Sequence, residues 1–358
     1  MTDISDKLIE RVKQANKDGT KLQIIGGGSK TFMGRTPTGE PINLSEHRGI
    51  TSYEPVELVL TARAGTPLID IHEALAEHNQ CLAFEPPLFD NQATLGGTLA
   101  CHLSGPARPW SGSIRDHVLG VRLINGRAEA LRFGGQVMKN VAGYDVSRMQ
   151  AGAMGTLGII TEVSLKVMPR PAATATIKQE MPAAQAIETM NRLSAQSKPL
   201  TGACWLDNHL YLRVAGAQSA VDSAVDQWQG KILQEGEVLA DNNDFWLKLR
   251  EQQLDYFLGS EPLWRFSVNS NADHSLPDEN WLIDWGGAQR WLRGNFSTEE
   301  LESIAERMGG QVSCYRGGNR VQEVFHNQPA ALRQLHKRLK LAFDTNEVFN
   351  PGRLYSWM

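Results

Sequence analysis

The chain is poor in the features that would place it outside the ordinary soluble enzymes. Its four cysteines, Cys81, Cys101, Cys204 and Cys314, are scattered, and no two stand in a Cys-x-x-Cys spacing. A zinc or iron–sulfur site held by this chain alone is therefore not expected, and dispersed reduced thiols fit a cytoplasmic protein. No apolar run approaches the roughly 20 residues that span a bilayer, so no transmembrane segment is expected. The first residues, Met1 to Asp6, lack a basic start followed by an apolar run, which argues against a secretory leader. There is no block of lysine or arginine, and the net charge is -4; nucleic acid is not an expected partner. Aromatic residues are sparse, but seven of the nine tryptophans fall between Trp205 and Trp291. That clustering marks a second core in the latter half.

What is present describes an α+β protein. At 358 residues the chain is long for one hydrophobic core, so two domains are expected. Ile4, Leu8, Ile9 and Val12 share a helical face that Asp18-Gly19 ends. Lys21–Ile25 and Leu58–Ala62 read as strands. Thr66 is a candidate N-cap with Pro67 at the first helical position, ahead of the stripe Leu68, Ile71, Leu75. Val118–Ile124 and Ala128–Phe133 flank Asn125-Gly126, the signal of a two-residue hairpin turn with both residues at positive φ. Ile159–Val167 has the alternation of a strand, and Pro169 and Pro171 bracket a boundary. Beyond it strands and helices mix in an α+β layer pattern. They run from a strand at Thr174–Gln179 and a helix at Ala183–Ala195 to a strand at Gln311–Tyr315. Leu332, Leu335 and Leu339 predict a final amphipathic helix before Asn350-Pro351-Gly352-Arg353.

Three glycine clusters carry the chemistry. Gly26-Gly27-Gly28-Ser29-Lys30-Thr31 is not a Walker A loop: Ser29 and Ile24 stand where that loop needs glycine. Nor does it fit a Rossmann turn, because Thr31 replaces the third glycine and Gly34, Pro37 and Gly39 forbid the helix that should follow. A solvent turn and a backbone nest for a diphosphate remain, the latter with charge added by Lys30. The second cluster, Thr94-Leu95-Gly96-Gly97-Thr98, adds backbone donors. Gly105, Arg108, Gly112, Arg115 and Asp116 extend the density of glycine and charge. Gly152-Ala153-Met154-Gly155-Thr156-Leu157-Gly158 is the third. Three such segments in one domain point to a large, extended ligand lying on backbone.

On these residues the run Asp90–Val163 resembles the FAD-binding domain of the p-cresol methylhydroxylase and vanillyl-alcohol oxidase superfamily. The stretch from Phe133-Gly134-Gly135 to Gly143-Tyr144-Asp145 narrows the likeness. With Trp285-Gly286-Gly287-Ala288-Gln289-Arg290-Trp291 and the Asn350-Pro351-Gly352-Arg353 end, it is similar to the FAD-binding subunits of glycolate oxidases, over nearly the whole chain. The resemblance implies an FAD domain of two α+β subdomains (1–170), an inserted α+β cap domain (171–325) and a C-terminal segment returning to the FAD domain (326–358). It places the FAD pyrophosphate on Gly26, Gly27, Gly28, Ser29 and Lys30 and on Thr94, Leu95, Gly96, Gly97 and Thr98. Gly155, Thr156, Gly158, Ile159 and Ile160 would lie along the cofactor, and Asn350 near the isoalloxazine ring. Many relatives tether FAD through a histidine in the first loop; Ser29 and Lys30 stand there, so non-covalent FAD is expected.

Oxidation of a 2-hydroxy acid needs a cation for the carboxylate, a base and a hydride acceptor. Arginine suits the first role, and the candidates are Arg108, Arg115, Arg290, Arg293 and Arg353, although for any one of them a solvated or ion-paired arginine is the favoured reading. No base stands out. His102 reads as a packing residue, Asp273-His274 is isolated, and the histidine-rich metal motif of catalytic relatives is missing. Tyr144 and Asp145 read as structural, Asp145 as an N-cap. The catalytic residues thus stay unassigned and no metal is expected. The resemblance implies a subunit that works with a homologous FAD-containing catalytic subunit and an iron–sulfur subunit on glycolate or a similar small acid. The alternatives are a self-sufficient NAD(P)H-dependent flavin reductase and a non-catalytic FAD scaffold. Trp285 and Trp291 flanking Arg290 mark an expected contact from cap to partner.

Overall fold

A computed structural model describes residues 2–135, 145–231, 233, 236–240, 244–273 and 281–358. The helix Ser5–Asp18 buries Leu8, Val12 and Ala15, and Gly19 ends it in the left-handed conformation at φ 70°. β1 (Leu22–Ile25) follows and pairs in parallel with β2 (Glu40–Asn43). Next in the chain are β3 (Ile50–Glu54), β4 (Val59–Arg63), β5 (Gln80–Cys81), β6 (Val118–Ile124), β7 (Ala130–Gly134), β8 (Ile159–Lys166) and β9 (Met168–Pro169). Five of them form an antiparallel sheet in the order β3-β4-β8-β6-β7, and β5 clips to β9. The helices Leu68–Ala76 and Leu95–Cys101 cover this sheet, burying Leu68, Ile71, Leu75, Leu95 and Leu99 against Leu60, Val121 and Val163.

The remaining strands are β10 (Ala173–Glu180), β11 (Leu200–Leu206), β12 (His209–Gly216), β13 (Glu237–Val238), β14 (Leu263–Ser267), β15 (Trp281–Asp284), β16 (Gln289–Arg293) and β17 (Gln311–Arg316). They build one eight-stranded sheet in the order β13-β10-β12-β11-β15-β16-β14-β17. Helices Ala183–Ser194, Gln218–Lys231 and Thr298–Arg307 pack on one face around Trp228, Trp264, Phe266 and Trp281. On the other side a separate cluster joins the two sheets: Met33, Leu103 and Met154 meet Trp246, Phe257, Trp291 and Tyr315. The chain then returns. Phe349 bridges in parallel to Leu22, with Leu22 N–H donating to Val348 O and Asn350 N–H to Leu22 O.

Several local expectations change. Thr66 does not cap the helix; Pro67 holds that position. The Thr66 hydroxyl instead accepts from Gly49 N–H at 2.9 Å and donates to Gly49 O, because the helix begins one residue later. The Asn125-Gly126 connection is not a two-residue turn. Asn125 Oδ1 accepts from the N–H groups of Arg127 and Glu129, and the left-handed residue is Ala128 at φ 60°. The longer loop lets Gly126 N–H reach Phe343 O on the last helix. β8 is buried on both faces rather than alternating, since it lies at the centre of its sheet. The last helix, Ala330–Phe343, forms as expected, but Leu332 and Leu335 are exposed and its buried residue is Lys340. Asp145 does cap its helix, accepting from Arg148 N–H. Residues 136–144 and His274 lie outside the described residues.

Candidate active site: a glycine-walled cleft and a second, interdomain pocket

The turn after β1 opens a concave cleft, the shape in which small-molecule sites are built. Its walls include Gly26, Gly27, Gly28, Ser29 and Lys30 from that turn, Thr94, Gly96 and Gly97 from the next, and Gly155, Gly158 and Ile160 from the third. Asn350 and Arg353 of the returning tail complete it. The three glycine clusters and the tail, distant in sequence, thus converge on one surface.

The local physics explains why glycine stands here. A Cβ on Gly27 would fall inside the backbone carbonyl of Gln92, so the two loops can touch only without a side chain. Gly155 sits at φ +71°, where a Cβ would also press Asn350 Nδ2 at 2.7 Å. Among the described residues, the backbone N–H groups of Gly26 to Lys30 donate to nothing in the protein. A run of free N–H groups on a concave turn is a nest for an anion. Lys30 adds a cation at the same edge. It is 6% exposed, lies 5.5 Å from the Phe89 ring centroid and donates to Ser29 Oγ at 3.2 Å. Burial lowers its pKa below the usual lysine value, with Cys101 and Glu251 pulling the other way.

The tail is fixed from both sides. Asn350 Oδ1 accepts from Ile24 N–H at 2.8 Å and Nδ2 donates to Met154 O at 2.6 Å, so this side chain stitches the first glycine turn to the third. Arg353 donates to Arg35 O and Thr31 O. Beneath them Lys340 Nζ donates to Thr156 O, Phe349 O and Asp344 Oδ2, while Asp344 accepts from Val348 and Phe349 N–H. Nothing in the sequence singled out Lys340 and Asp344, which are buried at 1% and 0% exposure.

Other expected site residues do not line the cleft. Leu95 and Thr98 are buried in the helix behind it, and Ile159 packs with the N-terminal helix. The Thr156 hydroxyl turns inward to Ala153 O. Gly105 lies where the two sheets meet, its carbonyl accepting from Trp285 Nε1 at 3.0 Å. Arg108 stacks on the Trp285 ring at 4.4 Å. Gly112 is a left-handed turn residue, Arg115 is exposed, and Asp116 closes a capping box with Ser113. His102 bonds Ser113 Oγ at 3.0 Å, and burial pulls its pKa down to about 4, so it is a neutral packing group.

The Trp285–Trp291 segment departs from its expected surface role. Trp285, Arg290 and Trp291 are all buried. Arg290 donates to the carbonyls of Gly287, Asp273 and Ala272, and Trp285 reaches across to Gly105. This segment locks the eight-stranded unit onto the five-stranded one. Arg213 paired with Glu85, and Glu251 accepting from Leu88 and Phe89 N–H, complete the lock. Arg293, another arginine candidate, donates through Nε and Nη1 to the carbonyls of Tyr256, Gly259 and Glu261.

A second, small pocket lies in this junction, between residues 103–106 and the strands β14 to β16. It holds Arg265, Asp284, Gln289 and Ser104. Asp284 is fully enclosed; burial pushes its carboxyl up to about 7, opposed by the Trp285 backbone N–H and Gln289. Sequence reasoning missed Arg265 and Asp284, which sit in ordinary strand patterns.

Comparison with known proteins fixes the family. Residues 4–134 match the model of an FAD binding domain. The chain is 45% identical over 355 residues to the glycolate oxidase subunit GlcE of Escherichia coli K12, covering 99% of this chain and 98% of that protein. The chain belongs to the family of the glycolate oxidase subunit GlcE. It is an FAD-binding flavoprotein of an oxidoreductase family. A D-lactate dehydrogenase of Archaeoglobus fulgidus is 24% identical over 98% of this chain and 89% of its own length. The glycolate oxidase subunit GlcD of Bacillus subtilis is 32% identical over 41% of this chain and 31% of its own. A structure of p-cresol methylhydroxylase with substrate bound superposes with a TM-score of 0.72 at 15% identity, over 99% of this chain and 88% of that one, which shows the shared fold. Among the described residues no helix is long and apolar enough to cross a membrane, and no group of three or more His, Cys, Asp or Glu could hold a metal.

Proposed function

We propose that the chain is the FAD-binding subunit of a glycolate oxidase-type complex, in which glycolate or a similar 2-hydroxy acid is oxidised to the 2-oxo acid. The observation that carries the reading is the free run of N–H groups from Gly26 to Lys30 in a glycine-walled cleft, in a chain that is 45% identical to a glycolate oxidase subunit from end to end. In this reading the N–H groups of 26–30 and the Lys30 ammonium hold the FAD diphosphate. Gly97, Gly155 and Ile160 let the cofactor lie against backbone, and Asn350 and Arg353 fix the wall beside it. Bound FAD supplies the hydride acceptor. The fit is chemical: the donors are neutral amides and one cation, and the acceptor they suit is an extended anion. Among the described residues the lining holds no histidine, which supports non-covalent FAD.

The partners are a homologous FAD-containing subunit and an iron–sulfur subunit, which carries electrons onward; this chain has no cysteine set of its own for that work. The unit 1–170 forms the FAD domain, 171–325 the cap and 326–358 the returning segment. The assembly works in the cytoplasm. The test is purification of the chain and of the reconstituted complex. The chain alone carries about one FAD, released intact into the supernatant by acid, and is not reduced by glycolate; in the complex its flavin is. A colourless chain that takes up no FAD ends the proposal, a yellow acid pellet ends non-covalent binding, and oxidation of NADPH by the chain alone favours a reductase.

A further inference from the structure

The last helix, Ala330–Phe343, keeps an apolar stripe that the rest of the chain does not cover. Leu332, Leu335 and Leu339 recur at the spacing of one helical face. The side that the fold buries is a different one, held by Lys340 through Thr156, Phe349 and Asp344. Leu335 is 57% exposed and Leu341 49%. Among the described residues none of these four leucines joins a hydrophobic cluster. The other large apolar side chains at the surface stand singly on separate elements. Single ones are ordinary, whereas several together on one element mark a contact surface.

The same helix is basic throughout. Between Ala330 and Phe343 there is no Asp or Glu, against Arg333, Lys337, Arg338 and Lys340, in a chain whose net charge is -4. Lys340 is neutralised by Asp344. Among the described residues the other three cations enter no ion pair. The first turn of the helix holds no acidic residue, although the helix dipole would favour one there. The end of the chain extends the patch. The half-buried Trp357 stacks on Tyr355 with ring centroids 4.7 Å apart and lies 6.1 Å from the His336 ring. Arg333 and Lys337 each stand 5.9 Å from the Trp357 centroid. Tryptophan, tyrosine and arginine side by side are the composition of interface hot spots.

Whatever covers this face must bring both carboxylates and an apolar centre, and Arg338 decides what kind of surface that is. It follows Leu335 by three residues and precedes Leu341 by three, so it stands inside the exposed apolar arc and not beside it. A bilayer would take these leucines only by drawing the guanidinium toward the acyl region, whereas membrane-surface helices keep their cations on the polar face. A protein surface with Asp or Glu set around an apolar patch satisfies the leucines and the cation together, because a carboxylate takes the guanidinium in its planar fork.

We propose that the outer face of the Ala330–Phe343 helix, with Trp357 beside it, is the docking surface for an acidic, apolar-centred face of another protein subunit. That this subunit belongs to an oxidase complex rests on the glycolate-oxidase reading. The inner side of the helix carries Lys340, so the partner docks on the element that holds the tail of the glycine-walled cleft. For the test, the full-length, FAD-loaded chain is co-expressed with the homologous FAD-containing subunit and the iron–sulfur subunit. Assembly is read by co-purification on a tag carried by this chain and by titration of the separated subunits. Leu335→Glu and Arg338→Glu should each weaken assembly at least about tenfold, and added salt should weaken wild type more than Arg338→Glu. Both variants should melt and hold FAD as wild type does, since both side chains are exposed. Val56→Glu, at a solvated turn of the five-stranded unit, should assemble normally. Should Leu335→Glu fail to fold, Arg338→Glu carries the test. Folded variants that assemble like wild type overturn the docking face and leave the reading of the complex intact; a wild-type chain that takes up neither subunit overturns both. Flotation of the chain with phosphatidylglycerol vesicles that Arg338→Glu abolishes would make the face a lipid contact, and a self-dimer in sedimentation that Leu335→Glu dissolves would make it a contact between copies; either result overturns the proposal.

Discussion

Replacing Lys340 by methionine tests how the returning tail is held. The ammonium is 1% exposed and makes three bonds, to Thr156 O at 2.7 Å, Phe349 O at 2.8 Å and Asp344 Oδ2 at 2.6 Å. Methionine fills the space but strands the fully buried Asp344 carboxylate, which keeps only the N–H groups of Val348 and Phe349. Removing one partner of a buried pair costs about 3–5 kcal/mol. At about 2–4 °C per kcal/mol for a unit of 150–250 residues, melting should fall by ~6–20 °C. The loss should concentrate at the tail: Phe349 O is freed one residue before Asn350, so FAD should also leave faster. Lys340→Met with Asp344→Asn removes the stranded charge and should recover a good part of the stability. Thermal melts and FAD release on dilution read both effects. A single variant that melts within about 3 °C of wild type and keeps its FAD would refute the claim that this pair anchors the cleft wall.

Gly27→Ala puts a methyl against the Gln92 carbonyl, so the first two glycine turns must part. Strain of about 1–3 kcal/mol should leave the chain folded by circular dichroism while FAD retention falls at least about tenfold; unchanged flavin content would count against the nest. Asp284→Asn should stabilise the protein only at higher pH. The folded carboxyl titrates at about 7 instead of 3.8, so the folded state holds its proton more tightly. The burial penalty is absent below the unfolded value, grows between the two and is complete above the folded one. At pH 8 the gain is up to about 4 kcal/mol, and at pH 4 close to nothing. A variant-minus-wild-type difference that stays flat between those pH values in urea melts would rule out a carboxyl buried in its neutral form.

The parts of this protein legible in the sequence are those where one residue type has a local reason to be there. Gly27 and Gly155 are glycine because a Cβ has no room or the backbone is left-handed, and both reasons show as clusters. Gly19 and Asp145 cap helices by purely local geometry. Long-range reasons were silent. Lys340 looks like one of several basic residues on an amphipathic helix, yet it is the buried one, because its partners come from residues 156 and 349. Thr66 lost its cap role to a tie with Gly49. The segment Trp285–Trp291 drew attention for its tryptophans flanking an arginine, and a surface contact was the natural reading; only the fold shows it turned inward onto Gly105. Gly105, Arg108 and Asp116 were credited to the ligand by nearness in sequence, whereas the chain leaves the cleft after Cys101.

That departure explains how two sites can share one backbone. Cys101 closes the helix Leu95–Cys101 and lines the glycine-walled cleft; Leu103, Ser104 and Gly105 line the interdomain pocket. Between them His102 takes the left-handed conformation at φ 54°, which reverses the chain away from one cavity and into the other. Its ring is tied to Ser113 and stays neutral, since Arg108 and Arg265 add to the desolvation that lowers its pKa. Charging it would set a third cation beside two arginines. The glycine-walled cleft and the interdomain pocket two residues farther along then belong to one arrangement, in which the eight-stranded sheet brings Arg265 and Asp284 to the chain that leads out of the cleft.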